Sequence, residues 1–270
     1  MLFLRRTLIR FVILFNIQIS SSLIAMNFIL EVAVFNIESA LLTAKAGADR
    51  IELCENPSDG GTTPSYGTLK TVREKIDISV FPIVRARGGD FLYSDEEFEV
   101  MKKDVALIKD LGFEGVVIGL LKKDGTIDIL RTTKLVEMAY PLEVTFHRAF
   151  DRAAEPLQAL EDVIKCGCQR ILTSGQVPNA FDGKKLIKQL IQQADHRIVI
   201  MPGSGVRSNN IKALIEFTGA EEVHSSARKI VPSQMQFIQK SMNENSENIT
   251  VDVDEIKKMK DPLNLPKGRL

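Results

Sequence analysis

One pattern constrains this chain more than any other. Between Asn27 and about Met242 the spacing of apolar residues switches back and forth between a period of two and a period of about 3.6, the mark of strands alternating with helices. Short apolar runs fall at Phe28 to Val34, Arg50 to Cys54, Val80 to Arg85, Gly115 to Ile118, Leu142 to His147, Arg170 to Thr173, Arg197 to Met201 and Glu222 to Ser225. Each is followed by a helical pattern, from Ile37, Ala40, Leu41 and Ala44 in the first unit to Met235 through Met242 in the last. Ser94 with Glu97 forms a capping box, Ser208 is placed to cap a helix, Pro156 suits a first turn, and Gly47, Gly112, Gly167 and Gly219 close helices. Eight such units predict a single α/β domain, a closed (β/α)8 TIM barrel. An open doubly wound sheet would carry a Gly-x-Gly-x-x-Gly turn after its first strand, and none is present.

Both ends depart from the pattern. Residues 1–25 place Arg5, Arg6 and Arg10 around a short apolar run and a Ser20-Ser21-Ser22 cluster, a targeting-like or dispensable extension. Its apolar run is too short for a membrane span of about 20 residues, organelle targeting and a signal anchor stay open for it, and Met26 is the expected functional start. Residues 243–270 are polar and read as a tail, which leaves residues 26–242 for the barrel. Lysine plus arginine balance aspartate plus glutamate at 35 each, so no bulk basic field exists to hold nucleic acid. The three cysteines, Cys54, Cys166 and Cys168, are too few for a disulfide framework at this length and favour a reducing, cytoplasmic setting.

In such a barrel the chemistry sits at the carboxyl ends of the strands. Alternation turns Leu30, Val32 and Val34 toward the helices and Glu31 and Ala33 inward; Glu52 with Cys54, Thr145 with His147, and Glu222 with His224 point inward by the same count. Arg85 and Arg87 continue the inward register of the third strand. Closure brings the eighth strand beside the first, and so His224 near Glu31.

Several ionisable groups therefore converge on one mouth. Glu31 and Glu52 are costly in a dry interior unless paired, with Arg85 as the expected counter-ion; they form either a structural ion network or a proton-transfer pair. His147 ends the fifth strand, with Arg148 and Asp151 in the loop behind it, whereas His196 lies at the opposite end of the barrel. Cys54 reads either as a small buried residue or as a soft thiolate ligand. The turn containing Gly203, Ser204 and Gly205, leading to a helix capped by Ser208, is expected to cradle an anion after the seventh strand. No lysine ends a strand on the inward side, which argues against Schiff-base chemistry. The enzyme reading is acid–base chemistry on a small anionic or phosphorylated metabolite. Glu31, Glu52, His147 and Asp151 are its proton-handling and orienting groups, Arg85 stabilises negative charge, and Gly203, Ser204, Gly205 and Arg228 bind the anion.

The blocks Ile51-Glu52-Leu53-Cys54, Gly60-Gly61-Thr62-Thr63-Pro64-Ser65, Arg85 to Ser94, Val144 to Asp151, Leu172 to Gly175, Met201 to Gly205 and His224 to Arg228 resemble, in order, the copper homeostasis protein CutC family. The resemblance spans about Phe28 to Ile230 and implies a cytoplasmic TIM-barrel protein that forms homo-oligomers and binds Cu(I). It makes Cys54 the soft ligand, with His147 and His224 beside it. Family members often carry a cysteine at the position of Ala33; without it Cys54 is the thiol left at the mouth, which implies weak or intersubunit Cu(I) binding.

Overall fold

The computed structural model describes residues 28–243 and 246–261. The expectations for residues 1–25 lie outside the described residues. Eight parallel strands follow the expected order: β1 Ile29–Val34, β2 Arg50–Leu53, β3 Ser79–Pro82, β4 Gly115–Ile118, β5 Glu143–Phe146, β6 Arg170–Thr173, β7 Val199–Pro202 and β8 Glu222–Ser225. Hydrogen-bonded ladders join β3, β2, β1 and β8 into one arc and β4 through β7 into another. A parallel bridge from Ile83 to Val117 links the arcs on one side, and β7 lies alongside β8 on the other, so the barrel closes. The register Glu31 to His224 and Ala33 to Glu52 sets the polar side chains of three adjacent strands against one another.

Around the strands run α1 Ile37–Ala46, α2 Tyr66–Lys75, α3 Asp95–Asp110, α4 Ile129–Ala139, α5 Pro156–Cys166, α6 Lys184–Ala194 and α7 Ile211–Thr218. Local sequence explains their ends. Both bonds of the Ser94 and Glu97 capping box form, Pro156 opens α5, and Gly47, Gly167 and Gly219 end helices in the left-handed conformation that suits glycine. Leu30, Val32, Val34, Val144, Phe146 and Val223 belong to the large apolar layer between strands and helices, which is the bulk of the core. Removing such side chains from water supplies most of the drive to fold.

The carboxyl-terminal segment corrects the sequence reading. Met235 to Met242 forms no helix beyond a short turn at Lys240–Met242, and Met235, Phe237 and Ile238 are exposed. Instead β9 Arg228–Val231 pairs antiparallel with β10 Asn248–Val251, and α8 Val253–Lys260 follows. The last helix packs beside α1 with Ile256 and Met259 fully buried, while Lys260 reaches Asp49 at 2.6 Å. The segment read as a tail thus supplies the eighth helix of the ring. Ser208 is corrected as well: its N–H and Oγ donate to Glu255 of α8 at 2.7 and 2.9 Å, and α7 starts after Asn210.

Candidate functional site

The barrel interior is charged from one end to the other. At the amino-terminal end Arg170 reaches Glu143 at 2.7 Å and Glu222 at 3.2 Å. Arg50 bonds the same Glu222 and also Glu31, the latter at 2.6 Å, with the Phe81 ring 4.9 Å from its guanidinium carbon. Arg50, not the expected Arg85, is therefore the counter-ion of Glu31. Arg50 and Arg170 share the inward parity of Glu52 and Thr145, so counting two residues back along β2 from Glu52 would have found Arg50. An arginine with well-aligned carboxylates on both sides satisfies its planar fork and offsets the large cost of burying charge.

Above this pair of arginines the network reaches the site. His224 Nδ1 lies 2.8 Å from Glu31 Oε1, and His224 Nε2 lies 3.8 Å from Glu52 Oε2. The parity count thus brings Glu31, Glu52 and His224 together as expected. Burial pulls the Glu31 carboxyl up, but Arg50 and His224 outweigh it and hold the group down at about 2. Glu52 bonds no arginine and feels the charge of Arg50 only weakly. Burial, with the negative charge of Glu31 added, pushes it up to about 7 against the opposing pull of His224. Burial lowers His224, and the Glu31 hydrogen bond with the two carboxylate charges more than reverses that, so its net shift is upward. Glu31 therefore stays ionised and orients the imidazole through Nδ1–H, while Glu52 sits where a proton is gained or lost near neutrality.

Glu52 and His224 line a cavity of about 300 Å3 at the carboxyl ends of the strands, bounded also by Ala33, Phe35, Ile83, Phe91 and Leu172. Its remaining walls are Arg85 and His147, and a rim formed by Arg148, Ser204, Gly205, Val206, Arg207, Ser226 and Arg228. His147 is buried, and its Nδ1 accepts the Ala149 N–H at 3.1 Å, which leaves the ring proton on Nε2. Burial, with the Arg85 charge beside it, lowers this imidazole to about 3, so it is neutral at physiological pH. A neutral ring whose Nδ1 already accepts a hydrogen bond donates from Nε2, which makes His147 a poor proton acceptor. The same tautomer keeps Nε2 from serving as a metal ligand, since ligation needs that lone pair. Arg85 donates to the carbonyls of Asp59, Gly61 and Gly89 at 2.6, 2.8 and 2.9 Å and so pins two loops onto the mouth.

Three expected site residues have other roles. The carboxylate of Asp151 accepts from Thr173 Oγ1 at 2.5 Å, from the backbone N–H of Ser174 and Gln176, and from Arg148 Nε at 2.7 Å. With its lone pairs engaged, it fixes the loop after β6 and aims Arg148. Arg87 turns out of the barrel and ties Glu97, Asp90 and nearby carbonyls. The Gly203 N–H is taken by Thr173 O at 2.9 Å and cannot hold an anion. The cradle lies one step further on. Ser204 and Gly205 take φ of 85° and 69°, and among the described residues the N–H groups of Ser204, Gly205 and Val206 make no hydrogen bond to the rest of the chain. At φ 69° Gly205 holds a conformation that side-chain-bearing residues rarely adopt, and a Cβ there would push on Asn179 Nδ2 at 2.5 Å, so glycine suits that turn. Arg228 stands exposed at the rim beside it, as expected for an anion contact. With α7 starting at Ile211, the helix dipole acts on this turn only from a distance.

The donor set fits Cu(I) poorly. Cys54 is buried under Gly61 against Phe81, Ile83 and Val117; burial, then the charges of Glu52 and Glu31, raise its thiol well above the usual range. Cu(I) prefers thiolate and more than one soft donor, whereas this thiol is held protonated and Cys166 and Cys168 lie at the far end of the barrel, at the end of α5 and ahead of β6. Among the described residues no group of three or more His, Cys, Asp or Glu side chains is placed to hold a metal ion, and no helix is long and apolar enough to cross a membrane.

Comparison with known proteins agrees with this architecture. The CutC family model matches residues 28–229. A CutC family protein of Chromobacterium violaceum is 49% identical over 212 residues, covering 78% of this chain and 86% of the relative. The copper homeostasis protein cutC homolog of Homo sapiens is 49% identical over 213 residues, covering 79% and 78%. A solved Streptococcus agalactiae structure bearing the CutC copper homeostasis name superposes with a TM-score of 0.70 at 32% identity, covering 74% of this chain and 98% of that one. Phosphoribosylanthranilate isomerase of Thermotoga maritima shares only the barrel fold, with a TM-score of 0.53 at 13% identity, covering 86% and 96%.

Proposed function

The chain belongs to the CutC family, and from that membership together with the geometry of the mouth we propose that it serves copper homeostasis as a cytoplasmic, self-associating barrel that binds a small anionic metabolite and moves a proton on it. The observation that carries the acid–base part is the separation in proton affinity of two buried carboxylates. Glu31 is held ionised against His224, and Glu52, on the wall of the cavity, is pushed to about 7. A carboxyl poised at the working pH has the proton affinity that general acid–base catalysis asks for. Arg228 with the N–H groups after β7 receives the anion, and Arg148, aimed by Asp151, adds a second cation to the rim. Isothermal titration with inorganic phosphate at pH 7 tests this. Binding that Arg228→Glu weakens by about tenfold or more supports the reading; no binding at any phosphate concentration overturns it.

A second reading, direct Cu(I) binding with Cys54, His147 and His224 as ligands, draws its support from the name of the Homo sapiens relative. It requires Cys54 to lose its proton, His147 to give up the Ala149 hydrogen bond so that one ring nitrogen is free to ligate, and a further soft donor to come from a second copy of the chain. Anaerobic Cu(I) titration against a competing chelator decides it. Affinity lost in Cys54→Ala supports this ligand set, and equal affinity in wild type and variant rules it out.

A further inference from the structure

Two buried N–H donors on the cavity wall have no acceptor, His147 Nε2 and Arg85 Nε. Leaving a buried donor unpaired forfeits its hydration with nothing in return, so a pair of them beside a cavity needs an explanation. Both residues pack on one aromatic ring of that wall. The His147 ring centroid lies 4.9 Å from that of Phe91, and the Arg85 guanidinium carbon lies 4.9 Å from the same Phe91 ring. Neither can turn away to satisfy itself. The Nδ1 edge of His147 is packed so closely on Gly119 that a Cβ there would lie 2.2 Å from the ring, and the terminal nitrogens of Arg85 are fixed by three carbonyls. Two fixed donors of this kind on one wall are what an oxygen gaining negative charge requires. The same cavity carries the proton acceptor Glu52 with His224 behind it, and the anion turn after β7.

We propose that the mouth is an enolisation site for a small phosphorylated hydroxy-ketone or hydroxy-aldehyde. This names a substrate class for the acid–base and anion reading above and rests on it. The Glu52 carboxylate takes the proton from the carbon next to the carbonyl. The C–H electron pair becomes the new carbon–carbon π bond, and the carbonyl π pair moves onto oxygen, where His147 Nε2–H and Arg85 Nε–H hold the resulting enolate. Glu52 then returns the proton to the former carbonyl carbon, while the hydroxyl proton of the enediolate passes directly to the neighbouring enolate oxygen and leaves a new carbonyl behind. The outcome is isomerisation; it leaves the protein unchanged and uses no redox partner. His147 acts as a donor throughout and keeps its own proton. The phosphate of the substrate sits on the N–H groups of Ser204, Gly205 and Val206.

Two probes separate this from the reading beneath it. Glycerol 3-phosphate carries the phosphate on a saturated end with no planar anion, and 2-phosphoglycolohydroxamate carries both the phosphate and an enediolate-like end. We expect the hydroxamate to bind wild-type protein at least about tenfold more tightly than glycerol 3-phosphate, as transition-state-like ligands do. We expect His147→Phe to erase that advantage while leaving the glycerol 3-phosphate affinity in place, and His147→Gln, which keeps an N–H donor, to retain part of it. Equal affinity for the two probes in wild type, or an advantage that survives His147→Phe, overturns the enolisation proposal and leaves anion binding standing. Failure of both probes to bind overturns the anion reading itself.

Discussion

Replacing Glu52 with glutamine should stabilise the protein at pH 8 while removing the function proposed for the mouth. The carboxyl titrates at an ordinary 4.5 when unfolded and at about 7 in the fold, where burial and the Glu31 charge oppose its ionisation. The folded state thus holds the proton more tightly than the unfolded chain does. The stability this gives is fully present below about pH 4.5, declines as pH rises, and is gone above about pH 7. At about 1.4 kcal/mol for each pH unit, the loss amounts to about 3 kcal/mol. Glutamine keeps the shape of the neutral acid and does not titrate. The difference in unfolding free energy between Glu52→Gln and wild type should therefore be near zero at pH 4.5, grow to about 3 kcal/mol in favour of the variant by pH 7, and stay level to pH 8. The buried His147, lowered to about 3 by burial and by Arg85, contributes with the opposite sign, stabilising above the ordinary histidine value of 6.5 and losing that contribution as pH falls. It is present in both proteins and cancels in the difference. Urea unfolding followed by circular dichroism at pH 4.5, 6, 7 and 8 reads the curve directly. A variant less stable than wild type at pH 8, or a difference that does not change with pH, would refute the reasoning. A gain in stability on removing a polar group is the signature expected of a residue retained for chemistry.

Two further outcomes follow from the packing. Arg50→Met leaves Glu31 and Glu222 buried without their shared cation and should cost about 3–5 kcal/mol in the same unfolding assay; a loss below about 1 kcal/mol would mean that the interior network is not what holds these carboxylates. Ile256→Ala should cost about 2–5 kcal/mol, since this fully buried side chain seats α8 in the helical ring, and a change within about 0.5 kcal/mol would mark the segment as a dispensable tail.

The strands were legible because their signal is local and doubled. Period-two alternation in Arg50-Ile51-Glu52-Leu53-Cys54 states both that the segment is a strand and which side chains enter the barrel, and the same count places Glu31, His147 and His224. What failed was non-local. Met235, Ile238 and Met242 have helical spacing, but the chain there is committed to the hairpin of β9 and β10, and the true last helix, with charged residues on most of its surface, reads as a tail until Ile256 and Met259 are seen against the ring. The partners of charged groups were likewise invisible to a count along one strand. Arg85 looked like the counter-ion because it ends β3, yet its fork is used up by loop carbonyls, and Arg50 lies one turn of alternation deeper on β2. Asp151 and His147 sit in one motif, and only the hydrogen bonds show that the first is a strut and the second an unpaired donor.

The interior charges run without a break from Glu143 through Arg170, Glu222, Arg50, Glu31 and His224 to Glu52. Arginine does not give up its proton in proteins, so this line cannot pass protons between the two ends of the barrel. Its effect is electrostatic and depends on depth. Glu31 touches Arg50 and is locked in the charged form, whereas Glu52, one layer higher on the cavity wall, bonds no arginine and meets His224 and Cys54. Two glutamates on neighbouring strands thus differ in proton affinity because Arg50 ion-pairs with the first and acts on the second only from further off. The mobile proton is thereby confined to Glu52 and His224, the two groups of the line that border the cavity. An all-apolar barrel floor could be equally stable or more so, but it would leave Glu31 and Glu52 to compete for a single proton with no fixed assignment. The buried arginines settle which carboxylate orients the histidine and which one faces the cavity.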